Sequence, residues 1–127
     1  MGEKTVMNTE KAAALGGPYP QAVVYGGLVF VSGQGAVDPV SNQVTQGTIE
    51  QETLMALENL RIILEEAGSS LEKVLQVTVY LLHMKEYGRF NEVYRRHFKG
   101  DLPARTCVQA GSLPFGLRVE IDAIAHI

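Results

Sequence analysis

Apolar positions along the chain follow two periods, and the changes between them mark the elements. Residues 5–8 make a short β-rich run, followed by a tract without period to Gly17 that we expect as loop. Residues 22–25 and 28–32 are two apolar runs separated by Gly26-Gly27, a pair free to take the positive φ of a tight hairpin turn. From residue 49 the period becomes helical, with Ile49, Thr53, Ala56, Leu57, Leu60, Leu64 and Ala67 in one stripe and Met55 and Ile62 off it. Thr48 and Gln51 supply a capping box and Gly68 a C-terminal stop, while Glu65 and Glu66 in the last turn oppose the helix dipole. Residues 74–82 alternate, with Leu75, Val77, Val79 and Leu81 on one face and Gln76, Thr78 and Tyr80 on the other. A second helix over 84–98 carries Tyr87, Phe90, Asn91, Tyr94 and Phe98 on one side. Asn91 is unusual there, because a buried amide wants partners. Arg95, Arg96, His97 and Lys99 complement the end of that helix and read as structural. A strand after Pro103, a turn at Leu113-Pro114-Phe115-Gly116 and a last strand over 117–124 close the chain. In that last strand Val119, Ile121 and Ala123 point one way and Arg118, Glu120 and Asp122 the other.

Strands, helix, strand, helix, strand, strand predicts an α+β two-layer sandwich: a mixed sheet with both helices on one face, as right-handed crossovers require. The opposite face is half apolar, so self-association is expected. All 127 residues fit a single domain, 1–127.

Composition and charge narrow the function. A formal net charge of -3 leaves no basic stripe for nucleic acid. The single cysteine fits a reducing compartment, and neither a signal-peptide pattern in the first residues nor a membrane-length apolar run is present, so a cytoplasmic protein is expected. His83, His97 and His126 share no ligand spacing, so no metal site is expected. Ser32-Gly33-Gln34-Gly35 is not followed promptly by a helix, which argues against a phosphate loop, and no nucleophile elbow surrounds Ser32.

What remains is a small polar set. Arg105 and Cys107 share a strand face, either as the wet face of that strand or with the guanidinium receiving a carboxylate. Cys107 is either a thiolate beside Arg105 or a small buried side chain. Glu120 alternates with apolar neighbours as a solvent-facing residue or an acid–base group would. Tyr19, held between Pro18 and Pro20, and Ser32 add two hydroxyls.

These residues also carry a resemblance. Pro103-Ala104-Arg105-Thr106-Cys107-Val108, followed by Val119-Glu120-Ile121-Asp122-Ala123-Ile124-Ala125, resembles the signature of the reactive intermediate deaminase family (RidA, also called YjgF). Gly17-Pro18-Tyr19, Val31-Ser32-Gly33-Gln34 and Glu65-Glu66-Ala67-Gly68 match in the same order. The resemblance implies a chorismate-mutase-like fold assembled as a homotrimer, with sites in the clefts between subunits. It implies hydrolysis of 2-imino acids, 2-iminobutanoate and 2-iminopropanoate, to 2-keto acids and ammonia without a cofactor. Arg105 would grip the substrate carboxylate, and Glu120, expected on the neighbouring strand, would activate water. The main chain at Cys107 would contact the imine nitrogen, and Tyr19, Ser32 and Asn91 would line the pocket. Three departures stand out. Gly35-Ala36 replaces a bulky residue and proline and is expected to loosen that wall; His83 replaces an N-cap aspartate; and the tract around Tyr19 carries a second glycine and proline, Gly16 and Pro20. Two other readings compete, a non-enzymatic binder of keto or amino acids and an RNA-cleaving inhibitor of translation.

Overall fold

A computed structural model describes residues 2–127. Its strands are β1 (Thr5–Met7), β2 (Ala22–Tyr25), β3 (Leu28–Gln34), β4 (Val74–Leu81), β5 (Ala104–Gln109) and β6 (Val119–His126). Helix α1 (Ile49–Glu66) joins β3 to β4, and α2 (Tyr87–His97) joins β4 to β5. The six strands form one sheet in the order β1-β2-β3-β6-β4-β5. All neighbours are antiparallel except β4 and β5, the pair that α2 connects. The expected mixed α+β sheet with two helices is therefore present. One expectation fails: β4 lies between β5 and β6, so Arg105 and Glu120 are not on neighbouring strands.

Local chemistry accounts for the elements. Gly26 and Gly27 take φ of 57° and 80°, the left-handed pair of a two-residue hairpin turn. At the start of α1 the Thr48 hydroxyl accepts from the Gln51 backbone N–H at 3.2 Å, and the Gln51 side-chain Oε1 accepts from the Thr48 N–H at 3.0 Å. Glu65 and Glu66 find cations that offset the dipole, Arg61 at 2.8 Å and Lys11 at 3.2 Å. Such exposed pairs are worth under about 1 kcal/mol each. The helical stripe is buried as expected, and Leu57, Leu60 and Leu64 join Phe90 and Tyr94 of α2 over Val77, Val79 and Ile121 in one core.

Three details depart from the expected elements. A bulge between Val74 and Gln76 gives Val74 the buried position and turns Leu75 out, 48% exposed. Arg118 does not join Glu120 and Asp122; it donates to the Gly47 carbonyl (2.9 Å) and to Glu86 (3.0 Å) beneath the starts of the helices. The buried Glu52 carboxylate ties the same corner by accepting from the backbone N–H of Arg118 (2.7 Å) and Gly47 (3.1 Å). Finally, residues 84–86 form one 3₁₀ turn before α2, and His83 makes no side-chain cap. The Met84 N–H instead donates to Gln109 at 2.7 Å, so the end of β5 supplies the missing cap.

The sheet face away from the helices follows from the register. Phe30 pairs with Ile124, Tyr80 with Glu120 and with Val108, and Thr78 with Asp122. Phe30 and Val108 remain 40% and 42% exposed. This face mixes exposed apolar side chains with two carboxylates.

Candidate active site

Where β3 bulges against β6, a cleft of about 540 Å³ opens between Tyr19, Ser32, Gly33, Phe115, Leu117 and Glu120. Buried amides hold its loops. Gln21 accepts from the Thr9 N–H (2.6 Å) and donates to the Ala13 carbonyl (2.9 Å). Asn59 of α1 accepts from the Ala13 N–H (3.1 Å) and donates to the Val37 carbonyl (2.7 Å). The Ser32 hydroxyl donates to the Pro20 carbonyl at 2.8 Å, fixing the segment that carries Tyr19. Tyr19 is 58% exposed and its ring lies against Gly17, where a Cβ would overlap it. A Cβ at Gly33 would likewise overlap the Glu120 carboxylate, so that carboxylate rests directly on the glycine backbone.

Glu120 is electrostatically prepared. Burial raises its pKa above the usual glutamate value, and the charge of Asp122, two residues along the same strand face, raises it further. Asp122 is itself raised by burial, against the opposing hydrogen bonds of Tyr80 and Thr78; the Tyr80 hydroxyl lies 3.3 Å from Asp122 Oδ2. A carboxylate raised toward neutrality is a better proton acceptor than one at its ordinary value.

A second cleft of about 280 Å³ lies beside α2 and the edge strand β5, lined by Tyr87, Asn91, Tyr94, Arg95, Leu102 and Arg105. The Arg105 guanidinium sits over the rings of Tyr94 (4.7 Å), Tyr87 (5.5 Å) and Phe90 (5.6 Å). Its Nη2 donates to the Tyr87 hydroxyl at 3.0 Å, and among the described residues it pairs with no carboxylate. Also among the described residues, Asn91 Oδ1 and the Tyr94 hydroxyl are buried without a hydrogen-bond partner. Burial pushes the Tyr94 hydroxyl up to about 12. Unpaired buried polar atoms around a free guanidinium mark a place where a polar ligand would gain bonds. Cys107 lines neither cleft; it packs on the core, and burial raises its thiol pKa more than Arg105 lowers it. Cys107 is a half-buried side chain packed against the core.

The predicted set is thus divided. Tyr19, Ser32 and Glu120 share the first cleft, and Asn91 and Arg105 the second. Arg105 is in register with buried Val77 on the helix-covered face, whereas Glu120 is in register with Tyr80 on the open face. Within one chain they do not meet. The hydrophobic pattern does not reveal the supports Gln21 and Asn59, and Arg95, expected as structural, lines the Arg105 cleft. Tyr87 and Tyr94 were visible only as core stripe.

The architecture is that of an α+β protein with one cleft between strand ends and loops and a second between α2 and the edge strand β5. Residues 9–127 match the family model described as Endoribonuclease L-PSP. The chain belongs to that family, the RidA (YjgF) family. It is 44% identical to the 2-iminobutanoate/2-iminopropanoate deaminase of Mus musculus, over 96% of this chain and 90% of the mouse protein. Among solved structures, a putative endoribonuclease from Thermotoga maritima is 46% identical with a TM-score of 0.92, covering 97% of both chains. A protein of unknown function of the conserved Rid family from Yersinia pestis is 32% identical with a TM-score of 0.95, covering 98% of this chain and 100% of the other. No helix among the described residues is long and apolar enough to cross a membrane.

Proposed function

We propose that this chain is a 2-iminobutanoate/2-iminopropanoate deaminase, working as a cytoplasmic homotrimer in which the Glu120 cleft of one copy is completed by the Arg105 cleft of the next. One observation carries the reading. An unpaired, ring-stacked arginine and a carboxylate of raised pKa occupy separate clefts on opposite sheet faces, each lacking what the other holds. The exposed apolar residues on the open face favour a second copy, since such surface is costly to leave wet. The identity to a protein named as a deaminase supports the same reaction.

The chemistry asks little of the protein. The imine carbon is already electrophilic. Water adds to it as Glu120 takes one of its protons and passes it to nitrogen; the carbinolamine hydroxyl then gives its proton through Glu120 to the same nitrogen as the C–N bond breaks, leaving a 2-keto acid and ammonia: R–C(=NH)–COO⁻ + H₂O → R–C(=O)–COO⁻ + NH₃. Arg105 holds the carboxylate with its planar fork, which orients the imine for attack. Asn91 Oδ1 accepts an N–H of the substrate and Tyr19 and Ser32 shape the opposite wall, while the main chain at Cys107, outside both clefts of one chain, reaches the nitrogen only where two copies meet. No step needs a cofactor or a metal.

The test is imine generated in situ by an amino-acid oxidase, with keto-acid release followed. Wild type should exceed the buffer rate, and Arg105→Ala should lose at least about 100-fold, the scale expected for removing a charged orienting group. A wild-type rate equal to buffer, or an Arg105→Ala rate equal to wild type, rejects the proposal. The endoribonuclease in the family description makes RNA cleavage the competing reading; a net charge of -3 and the paired acids of the open face disfavour it.

A further inference from the structure

Besides Glu120, the first cleft is lined by apolar side chains that water addition to a small imine does not use. Gly35 stands at its wall, just past β3, and its φ is not among the positive ones, so conformation does not demand glycine there. Space does. A Cβ at position 35 would lie 2.7 Å from Leu117 Cδ1. Leu117, 3% exposed, enters from the segment before β6 and takes the room a side chain at 35 would fill. The wall expected to be loosened by Gly35-Ala36 is thus closed from the opposite side by a branched aliphatic group. Next to it, Phe115 is held in the left-handed region (φ 59°, ψ 19°) and keeps its ring 58% exposed at the cleft. Its carbonyl accepts from Gln46 Nε2 at 2.6 Å, which ties this short turn to the segment before α1. Leu15 and Val37 complete the apolar lining. The cleft, about 540 Å³ in one chain before a second copy closes on it, lies within the ~300–1,000 Å³ range of small-molecule pockets.

We infer that Leu15, Val37, Phe115 and Leu117 form a side-chain subsite that admits 2-imino acids with branched or aromatic side chains and favours them over the three- and four-carbon ones. The inference rests on the deaminase reading of the same cleft. With the carboxylate held by Arg105 and the imine carbon beside Glu120, the substrate side chain is the part left to meet this lining. Leu117 sets its depth, Gly35 leaves Leu117 its place, and Phe115 covers the mouth.

The test is the ratio of catalysed rates for leucine- and phenylalanine-derived imines over the alanine-derived one, each generated by an oxidase at equal flux. Wild type should give ratios above one. Phe115→Ala should lower the leucine ratio about tenfold, the scale of burying part of one apolar side chain. Gly35→Ala should lower it too, by pushing the Leu117 methyl into the cleft. Leu117→Ala should raise the phenylalanine ratio by deepening the cleft. If Leu117→Ala does not fold, Phe115→Ala, with its exposed side chain, carries the test. Wild-type ratios at or below one, or ratios within about twofold of wild type in every folded variant, overturn the subsite. If wild type processes no imine at all, the deaminase reading itself has failed. Calorimetry then decides the subsite: equal affinity for pyruvate and 4-methyl-2-oxopentanoate overturns it, and tighter binding of the larger acid that Phe115→Ala abolishes upholds it.

Discussion

The Glu120 cleft is walled by loops, tied by Gln21, Asn59 and Ser32 to buried partners, while the Arg105 cleft is a helix face meeting a sheet edge, held by three aromatic rings. The supports of the first have their hydrogen bonds made, and its carboxylate lies against bare backbone at Gly33. The second leaves Asn91 Oδ1 and the Tyr94 hydroxyl unmet. One is poised to move a proton and the other to hold an anion. If the two clefts act together, as proposed, neither works alone: a proton acceptor without an orienting cation gains little from proximity, and the reverse holds equally.

The proton acceptor is the most sensitive point of the two clefts. Glu120→Gln keeps the shape and removes the base, so keto-acid release should fall by about 10²–10⁴-fold, the usual worth of general-base catalysis. Gly33→Ala probes the same group indirectly. Its Cβ must displace the tip of Glu120, so turnover should fall by about tenfold while the melting transition, read by circular dichroism, moves little. A Gly33→Ala protein with wild-type turnover would mean that the carboxylate's seat is unimportant.

A smaller effect sharpens the electrostatics. Asp122 raises the pKa of Glu120, so Asp122→Asn removes a negative neighbour and lets Glu120 ionise at lower pH. The acid limb of the pH–rate profile, along which activity is lost as Glu120 is protonated, should therefore shift to lower pH. A shift upward would contradict the assignment of that limb to Glu120. Smallest of all, Cys107→Ser should keep activity within about threefold in the same assay, because the thiol lies outside both clefts and remains protonated.

Much of this molecule could be read from residue order, and the failures have physical causes. The capping box at Thr48, the stop at Gly68 and the Gly26-Gly27 turn are local chemistry, so the sequence contains them whole. The bulge that turns Leu75 outward is a property of two strands in register, which one strand's alternation cannot report. Strand order is likewise non-local: alternation placed Arg105 and Glu120 correctly on their own strands but could not reveal β4 between them. Gln21, Asn59 and Glu52 are polar letters that a pattern assigns to the surface, yet each is buried because it satisfies backbone groups of distant loops. Asn91 was the exception, since an amide inside an aromatic stripe signals a need that the core does not meet.

The central claim, that the site is shared between two copies of the chain, is tested most directly by mixing two inactive variants. Arg105→Ala and Glu120→Gln chains, unfolded and refolded together in equal amounts, should form mixed trimers in which about a quarter of the clefts pair an intact Arg105 with an intact Glu120. Keto-acid release should then recover to roughly that fraction of wild type, while each variant refolded alone stays inactive. Mixed assemblies seen by native mass spectrometry with no recovered activity would contradict the account.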